Sequence, residues 1–173
     1  MKPSVKILIF CLTTFLFIGC DRVTKDLAKE HLQNKPMVSY LNNTLQLVYV
    51  ENTGAAMSLG DALPQKTSFW LLSVLPLIFL LGLSVYTIRQ AREMSLGKII
   101  SFALLIAGGL GNIIDRVAFD RHVTDFMILG GSWKIHTGVF NFADVCVSAG
   151  AIGLILFYRD KKMKTESNPQ NFQ

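Results

Sequence analysis

Four apolar stretches divide the chain, and their lengths predict helices that cross a membrane. Residues 68–88 run for 21 positions without a charge, and an α-helix needs roughly 20 apolar residues to cross a hydrocarbon core. Residues 7–20, 97–114 and 142–158 are shorter or carry a charge near one end. The pattern predicts an all-α membrane protein with four transmembrane helices, the second of which contains Pro76 and is expected to kink there.

The segments between the spans contain short runs with the composition of strands. LQLVYV at 45–50 is rich in β-branched and aromatic residues, and the runs 123–129 and 132–136 flank Gly130 and Gly131. Runs of this kind around a glycine turn are typical of β-strands. We therefore expect a small β-sheet beside the helices and outside the hydrocarbon.

The excess of basic over acidic residues falls on one side of this arrangement, which predicts its orientation. Lys and Arg accumulate in short cytoplasmic segments of membrane proteins. The two terminal segments and residues 89–98 hold nine basic and three acidic residues, whereas residues 21–67 and 115–144 hold eight and nine. Both termini are therefore predicted to be cytoplasmic, with an extracytoplasmic sheet. This topology explains the net charge of +5 better than nucleic-acid binding, since the sequence has no basic stripe with interleaved aromatic residues.

Residues 1–160 are predicted to form one membrane domain, and the polar residues 161–173 a flexible cytoplasmic tail. The three cysteines, Cys11, Cys20 and Cys146, lie in or beside apolar runs. Their spacing is not typical of a disulfide framework or a metal site.

Cys20 raises an alternative for the first span. A basic start followed by an apolar run ending in LFIGC is typical of the signal peptide of a bacterial lipoprotein, which would be anchored through that cysteine. Two observations favour retention of the helix. Phe17 stands where such a peptide prefers Leu, and only an even number of spans puts the basic flanks on one face.

Ionisable and amide side chains collect at the predicted outer ends of the spans, where they are costly unless they face a bundle interior or a wet cavity. They are Asp21, Lys25, Asn112, Asp115, Arg116, Asn141 and Asp144, with Asp125 in the strand-like run before the last span. A small proton-coupled membrane transporter is the competing class. It would carry acids near the bilayer midplane on several helices.

Helical spacing also gives several of these residues a purely structural reading. Gly108, Gly111, Asn112 and Asp115 share one stripe, which is either a packing seam or a functional face. Asp115 sits at a helix C-terminus, where the macrodipole disfavours negative charge, so Arg116 or another donor is expected to compensate it.

Two further pairs have local explanations. Asp21 and Lys25 stand four apart in the favourable acid-first order, which favours an exposed helical ion pair. Asn141 and Asp144 have the spacing of a capping box at the start of the fourth helix, with Asp in place of the usual Glu or Gln.

Capping does not explain Asp125, a second carboxylate in the apolar run VTDFMIL. A short hairpin returns this run to the start of the fourth helix. Two carboxyl groups within hydrogen-bonding distance cannot both ionise cheaply, so they share one proton and titrate as a pair. Such a pair activates water in aspartic proteases.

These residues lie in five motifs: DRVTK at 21–25, ENTGAAMS at 51–58, GGLGNIIDR at 108–116, VTDF at 123–126 and FNFAD at 140–144. Their order and spacing closely resemble lipoprotein signal peptidase, or signal peptidase II, a family of aspartic endopeptidases of the bacterial inner membrane. The resemblance extends from the first span to the fourth, and the joint presence of five motifs makes it specific.

The resemblance implies an enzyme that removes the signal peptide of a prolipoprotein by cleaving before a cysteine that carries diacylglycerol. It implies Asp125 and Asp144 as the catalytic pair, at the periplasmic face. The implied substrate-binding residues are Asn52, Gly54, Asn112, Arg116 and Asn141, and the implied structural supports are Asp21, Lys25 and Asp115. We expect no cofactor or metal ion, and a monomer whose partners are diacylglyceryl-modified prolipoproteins and membrane lipid.

Overall fold

The computed structural model describes residues 1–54, 63–130 and 136–158, and within them it confirms a bundle of apolar helices with a small sheet. The helices are α1 (Pro3–Leu32), α2 (Gln65–Gln90), α3 (Leu96–Ala118) and α4 (Phe142–Tyr158). The strands are β1 (Val38–Tyr40), β2 (Leu45–Asn52) and β3 (Val123–Leu129), in the antiparallel order β1-β2-β3.

Three of the described helices are long and apolar enough to cross a membrane: α1, α2 and α3. The fourth, α4, is also apolar and has 17 residues, which is at the short end of the range for a transmembrane helix. Large apolar side chains on the outside of the bundle, such as Phe15 and Ile155, are 73% exposed. In a bilayer this exposure is to lipid, so the bundle does not need to bury these side chains.

Two details differ from the sequence-based prediction. The first helix does not end with the apolar run at Cys20 but continues to Leu32. The irregularity expected at Pro76 is a π-helical turn, Trp70–Val74, directly before the proline. A proline has no N–H and crowds the carbonyl four residues earlier, which here is that of Leu72 inside the π-turn.

Two predicted segments lie largely or wholly outside the described residues. The run predicted as a strand at 132–136 is described only at His136, which forms an isolated bridge with Gly130. The predicted tail at 161–173 lies entirely outside them.

Helix α3 lies at the centre of the bundle and packs against each of the other three helices. A buried cluster that includes Phe10 of α1, Leu80 of α2 and Ile106 of α3 fills the space between them. Glycine allows α3 and α4 to pack closely, because a Cβ on Gly108 would collide with the backbone carbonyl of Ala143. The predicted glycine stripe is therefore a packing seam on its α4 side.

Four charged side chains join α1 to α3 at the end of the bundle where the sheet lies, which we call the sheet end. These residues, the charge cluster, are Asp21, Arg22, Lys25 and Asp115. Lys25 Nζ lies 2.7 Å from Asp21 Oδ2 and 2.8 Å from Asp115 Oδ2, and Arg22 Nη1 lies 2.7 Å from Asp115 Oδ1. Two cations thus face two carboxylates, and the cluster is electrically neutral.

This geometry corrects the interpretation of Asp21 and Lys25 as an exposed pair. Lys25 is 0% exposed and Asp21 is 2% exposed, because a second helix covers them. Glycine again allows two helices, here α1 and α3, to approach closely, since a Cβ on Gly111 would lie 2.6 Å from Asp21 Oδ2. Asp115 is compensated by Lys25 and Arg22 rather than by its neighbour Arg116.

We predict that Lys25→Met destabilises the protein by about 3–5 kcal/mol, because it leaves two carboxylates buried without their shared cation. Lys29→Met, on the same helix but exposed, is the matched control and is expected to change stability by less than about 0.5 kcal/mol. Unfolding of the purified protein in detergent, followed by circular dichroism, measures both. Equal stabilities of the two variants would contradict a structural role for the cluster.

Candidate active site

The chain brings Asp125 and Asp144 together by running back along β3. Phe140 N donates to Met127 O at 2.9 Å, and Phe126 N and Met127 N donate to Phe140 O at 3.0 and 2.9 Å. This backbone pairing places Asn141, the next residue, beside Asp125 and directly before α4. The predicted return of the chain from β3 to the fourth helix is present in the structure.

Asn141 contacts both carboxyl groups. Its side-chain Nδ2 donates to Asp125 Oδ1 at 2.7 Å, and its backbone N donates to Asp144 Oδ2 at 3.0 Å. Asp144 N in turn donates to Asn141 Oδ1 at 3.1 Å, which completes the capping box. The capping interpretation is therefore correct, and the same asparagine also binds the second acid.

Asn112 of α3 connects this pair to the charge cluster. Its Nδ2 donates to Asp144 Oδ1 at 2.9 Å, while its Oδ1 accepts from Asn141 Nδ2 and from Lys25 Nζ, both at 3.0 Å. Since a lysine ammonium only donates, it fixes which end of the Asn112 amide is oxygen, and the NH₂ group must then face Asp144. Lys25 thereby orients a donor toward the carboxylate.

Asp21 supports the site through the start of α4. Its Oδ1 accepts from Ala143 N at 2.9 Å, one of the N–H groups that a helix N-terminus leaves without an intrahelical partner. The carboxylate therefore anchors the turn that carries Asp144. This contact spans 122 positions of sequence.

Asn52 reaches Asp125 because β2 contains an irregularity. Leu47 pairs with Met127, but Val50 pairs with Asp125, so the register shifts by one residue between them. Side chains alternate between faces along a strand, and a one-residue shift exchanges the two faces. The shift puts Asn52, rather than Glu51, on the face of Asp125, and its Nδ2 donates to Asp125 Oδ2 at 3.0 Å.

Arg116 holds the end of β2 against α3. Its Nη2 donates to Gly54 O at 2.8 Å, and Gly54 N donates to Asn52 Oδ1 at 3.0 Å. The guanidinium thus fixes the turn that orients the Asn52 amide. Residues 55–58 of the ENTGAAMS motif lie outside the described residues.

The two carboxyl groups line one cavity of about 420 Å³. Its described polar lining consists of Asn52, Asn112, Arg116, Asp125, Thr137, Asp144 and Ser148. All predicted catalytic and substrate-binding residues except Gly54 and Asn141 line it, and those two bind lining residues. The predicted supports Asp21, Lys25 and Asp115 lie behind it.

Sequence reasoning missed Arg22, which neutralises Asp115, and the cavity residues Thr137 and Ser148. Arg22 stands four residues before Asp26, and its Nη2 lies 2.7 Å from Asp26 Oδ1. A spacing of four residues is typical of an exposed helical ion pair. The sequence therefore contains no indication that Arg22 also contacts Asp115 of α3. Ser148 stands four residues after Asp144 in α4 and therefore shares its helical face.

Burial makes the carboxyl group of Asp125 a weaker acid than usual. Desolvation raises the pKa of Asp125 to about 6, and the nearby charge of Asp144 acts in the same direction, although the amide donors of Asn52 and Asn141 oppose it. An acid with this pKa exchanges its proton near neutral pH. Among the described residues, no group of three or more His, Cys, Asp or Glu side chains is arranged to hold a metal ion.

Comparisons with known proteins find one family over most of the chain. Residues 13–159 match the family model described as Signal peptidase (SPase) II. The lipoprotein signal peptidase of Chlorobium phaeobacteroides strain BS1 is 35% identical over 158 residues, which cover 87% of this chain and 95% of that protein. That of Clostridium acetobutylicum is 36% identical over 137 residues, covering 79% and 84%.

A solved structure has the same fold. It is described as a bacterial membrane enzyme determined by the in meso method at 2.3 Å resolution, and it superposes with a TM-score of 0.72 at 26% sequence identity. The superposition covers 95% of this chain and 93% of that one. Together with the family match over most of the chain, this similarity supports one conclusion: the chain belongs to the signal peptidase II family.

Proposed function

We propose that this enzyme removes the signal peptide of diacylglyceryl-modified prolipoproteins by cleaving before the lipidated cysteine, with Asp125 and Asp144 as the catalytic pair. Removal of prolipoprotein signal peptides follows from the family. The observation that carries the finer proposal is that both acids line one cavity and both accept hydrogen bonds from Asn141.

The environments of the two acids suggest different roles. Asp144 lies in the first turn of α4 and accepts from Asn112 and from the backbone of Asn141, and a helix N-terminus favours a carboxylate. Asp125 is 4% exposed, and burial raises its pKa to about 6. We infer that Asp125 carries the shared proton and Asp144 starts the reaction ionised.

This assignment gives a metal-free mechanism by general acid and base catalysis. Asp144 accepts a proton from the attacking water, while Asp125 donates its proton to the carbonyl oxygen of the scissile amide. The tetrahedral intermediate then collapses as the leaving amine takes a proton from Asp144 and the former carbonyl oxygen returns its proton to Asp125. Asn52 and Asn141 hold Asp125 throughout, and Arg116 is placed to bind the substrate backbone.

The one-sided excess of basic over acidic residues supports the proposed membrane topology, with both termini in the cytoplasm and the sheet end at the periplasmic face of the inner membrane. The catalytic pair would then meet a substrate whose signal helix lies in the bilayer. The diacylglycerol of that substrate would remain among the lipids.

The two alternative functions receive less support. A proton-coupled transporter would carry acidic residues near the bilayer midplane, whereas Asp21, Asp115 and Asp144 all lie at the sheet end. A lipoprotein anchored at Cys20 would lose the first part of α1. That part supplies Phe10, which is 5% exposed and belongs to the buried core.

We predict that Asp125→Asn and Asp144→Asn each lower kcat for cleavage of a synthetic diacylglyceryl prolipoprotein by about 10²–10⁴-fold, the contribution typical of a general acid or base. The measurement is single-turnover cleavage by purified protein in lipid, followed by mass spectrometry of both products. Glu30→Gln, an exposed acid on α1, is the matched control and should cleave at the wild-type rate. Undiminished cleavage by either Asp variant would refute the pair.

The pH dependence of cleavage tests the assignment of the proton. Because Asp125 has to be protonated and burial raises its pKa to about 6, kcat/KM is expected to fall as the pH rises through that value. The Asn52 amide stabilises the charged form, so Asn52→Ala should raise the pKa of Asp125 and move the falling limb to higher pH. A limb that stays in place, or moves to lower pH, would contradict the assignment.

A further inference from the structure

A second cavity, of about 290 Å³, lies at the sheet end between the start of α2 and the end of α3. We call it the basic cavity. Its lining consists of Gln65, Lys66, Phe69, Trp70, Arg116, Val117, Asp120 and Arg121. Three cations thus face one carboxylate among the described lining residues, and the function proposed above makes no use of Lys66 or Arg121.

Two arginines in this lining have hydrogen-bonding capacity left over. Arg116 donates from Nη2 to Gly54 O and from Nη1 to Asn112 O, and Arg121 donates from Nη2 to Thr53 O at 3.3 Å. The Nε atoms of Arg116 and Arg121 are both buried and have no hydrogen-bond partner within the described residues. A buried donor without an acceptor is costly, so these atoms indicate an acceptor from outside the described part of the chain.

The acid in the lining does not supply that acceptor. Asp120 Oδ1 accepts from Gln65 Nε2 at 3.2 Å, and no ion pair joins Asp120 to a cation in the described part of the chain. Lys66 is exposed and has no carboxylate within 4.0 Å among the same residues. The cavity therefore keeps a surplus of positive charge, which favours an anion.

The position of the cavity indicates where the anion comes from. Trp70 is 62% exposed and Phe69 is 42% exposed, and their rings lie in edge-to-face contact at 6.4 Å. Aromatic side chains at the end of an apolar span settle at the level of lipid headgroups. Arginine forks match the oxygens of phosphate groups, and phospholipid phosphates lie at this level.

We propose that the basic cavity binds the phosphate of an anionic glycerophospholipid from the sheet-end leaflet, with Arg121, Arg116 and Lys66 around the phosphate and the acyl chains beside Trp70. Arg116 also lines the catalytic cavity. The bound lipid would therefore hold, from the other side, the guanidinium that orients Gly54 and Asn52.

Native mass spectrometry of the full-length protein in detergent tests this proposal directly, without reference to peptidase activity. The titrants are phosphatidylglycerol, phosphatidylcholine, a diacylglycerol with the same chains, and inorganic phosphate. We expect one phosphatidylglycerol to bind more tightly than either other lipid. Arg121→Gln should weaken that binding by about tenfold and the exposed Lys66→Gln by about threefold, as expected for charge-assisted contacts of different burial.

Lys35→Gln is the matched control, because it removes one exposed positive charge at the sheet end outside the cavity. It should leave phosphatidylglycerol affinity unchanged. Equal affinities for phosphatidylglycerol and diacylglycerol, or equal losses in Lys35→Gln and Lys66→Gln, would overturn the proposal. Equal binding of phosphatidylcholine would overturn the requirement for an anionic lipid, and binding of inorganic phosphate without phosphatidylglycerol would identify a free anion as the ligand.

Tryptophan fluorescence tests independently where the lipid binds. The chain has two tryptophans, so Trp133→Phe leaves Trp70 as the only one. Phosphatidylglycerol with brominated chains should quench Trp70 at lower mole fractions than brominated phosphatidylcholine, and Lys66→Gln should reduce that difference, although by less than Arg121→Gln. Identical quenching curves for the two lipids in the Trp133→Phe protein would place no anionic lipid at the cavity and contradict the proposal.

Discussion

The site depends on a set of four charges, two of each sign, between α1 and α3, in which Asp21, Lys25 and Asp115 are removed from water. A lysine with no exposed surface is stable there only because each of its three protons has an oxygen acceptor: Asp21, Asp115 and Asn112. Exchanging one partner for an uncharged residue leaves a bare charge in a medium of low dielectric constant. The cluster therefore holds α1 in a fixed rotation and at a fixed height relative to α3.

From this cluster, a continuous series of hydrogen bonds extends to the catalytic cavity. Lys25 sets the orientation of the Asn112 amide, Asn112 donates to Asp144, and Asn141 joins Asp144 to Asp125. On the other side, Arg116 holds Gly54 and thereby Asn52. The acids are thus surrounded by amide donors whose own positions are fixed by charged groups, which is how a site keeps its geometry before substrate binds.

The sequence predicted the helices well because a membrane demands a minimum apolar length, and that demand is local. It predicted the end of α1 poorly, because the twelve residues from Asp21 to Leu32 are mostly polar and belong to a helix that leaves the hydrocarbon. The three-residue strand β1 is too short to leave a pattern. The burial of Lys25 could not be predicted from the sequence either, because it depends on the close approach of Gly111 and Asp115, which are distant in the chain.

The bulge in β2 shows how a reaction centre can depend on strand register rather than on residue type. If β2 continued in the register that pairs Leu47 with Met127, Tyr49 would pair with Asp125, and Glu51 would face Asp125 in place of Asn52. An amide that steadies the acid would be exchanged for a group that repels it, without any change to the residues of the site. Changes that abolish the bulge are for that reason expected to be more harmful than substitutions of exposed side chains on the same strand.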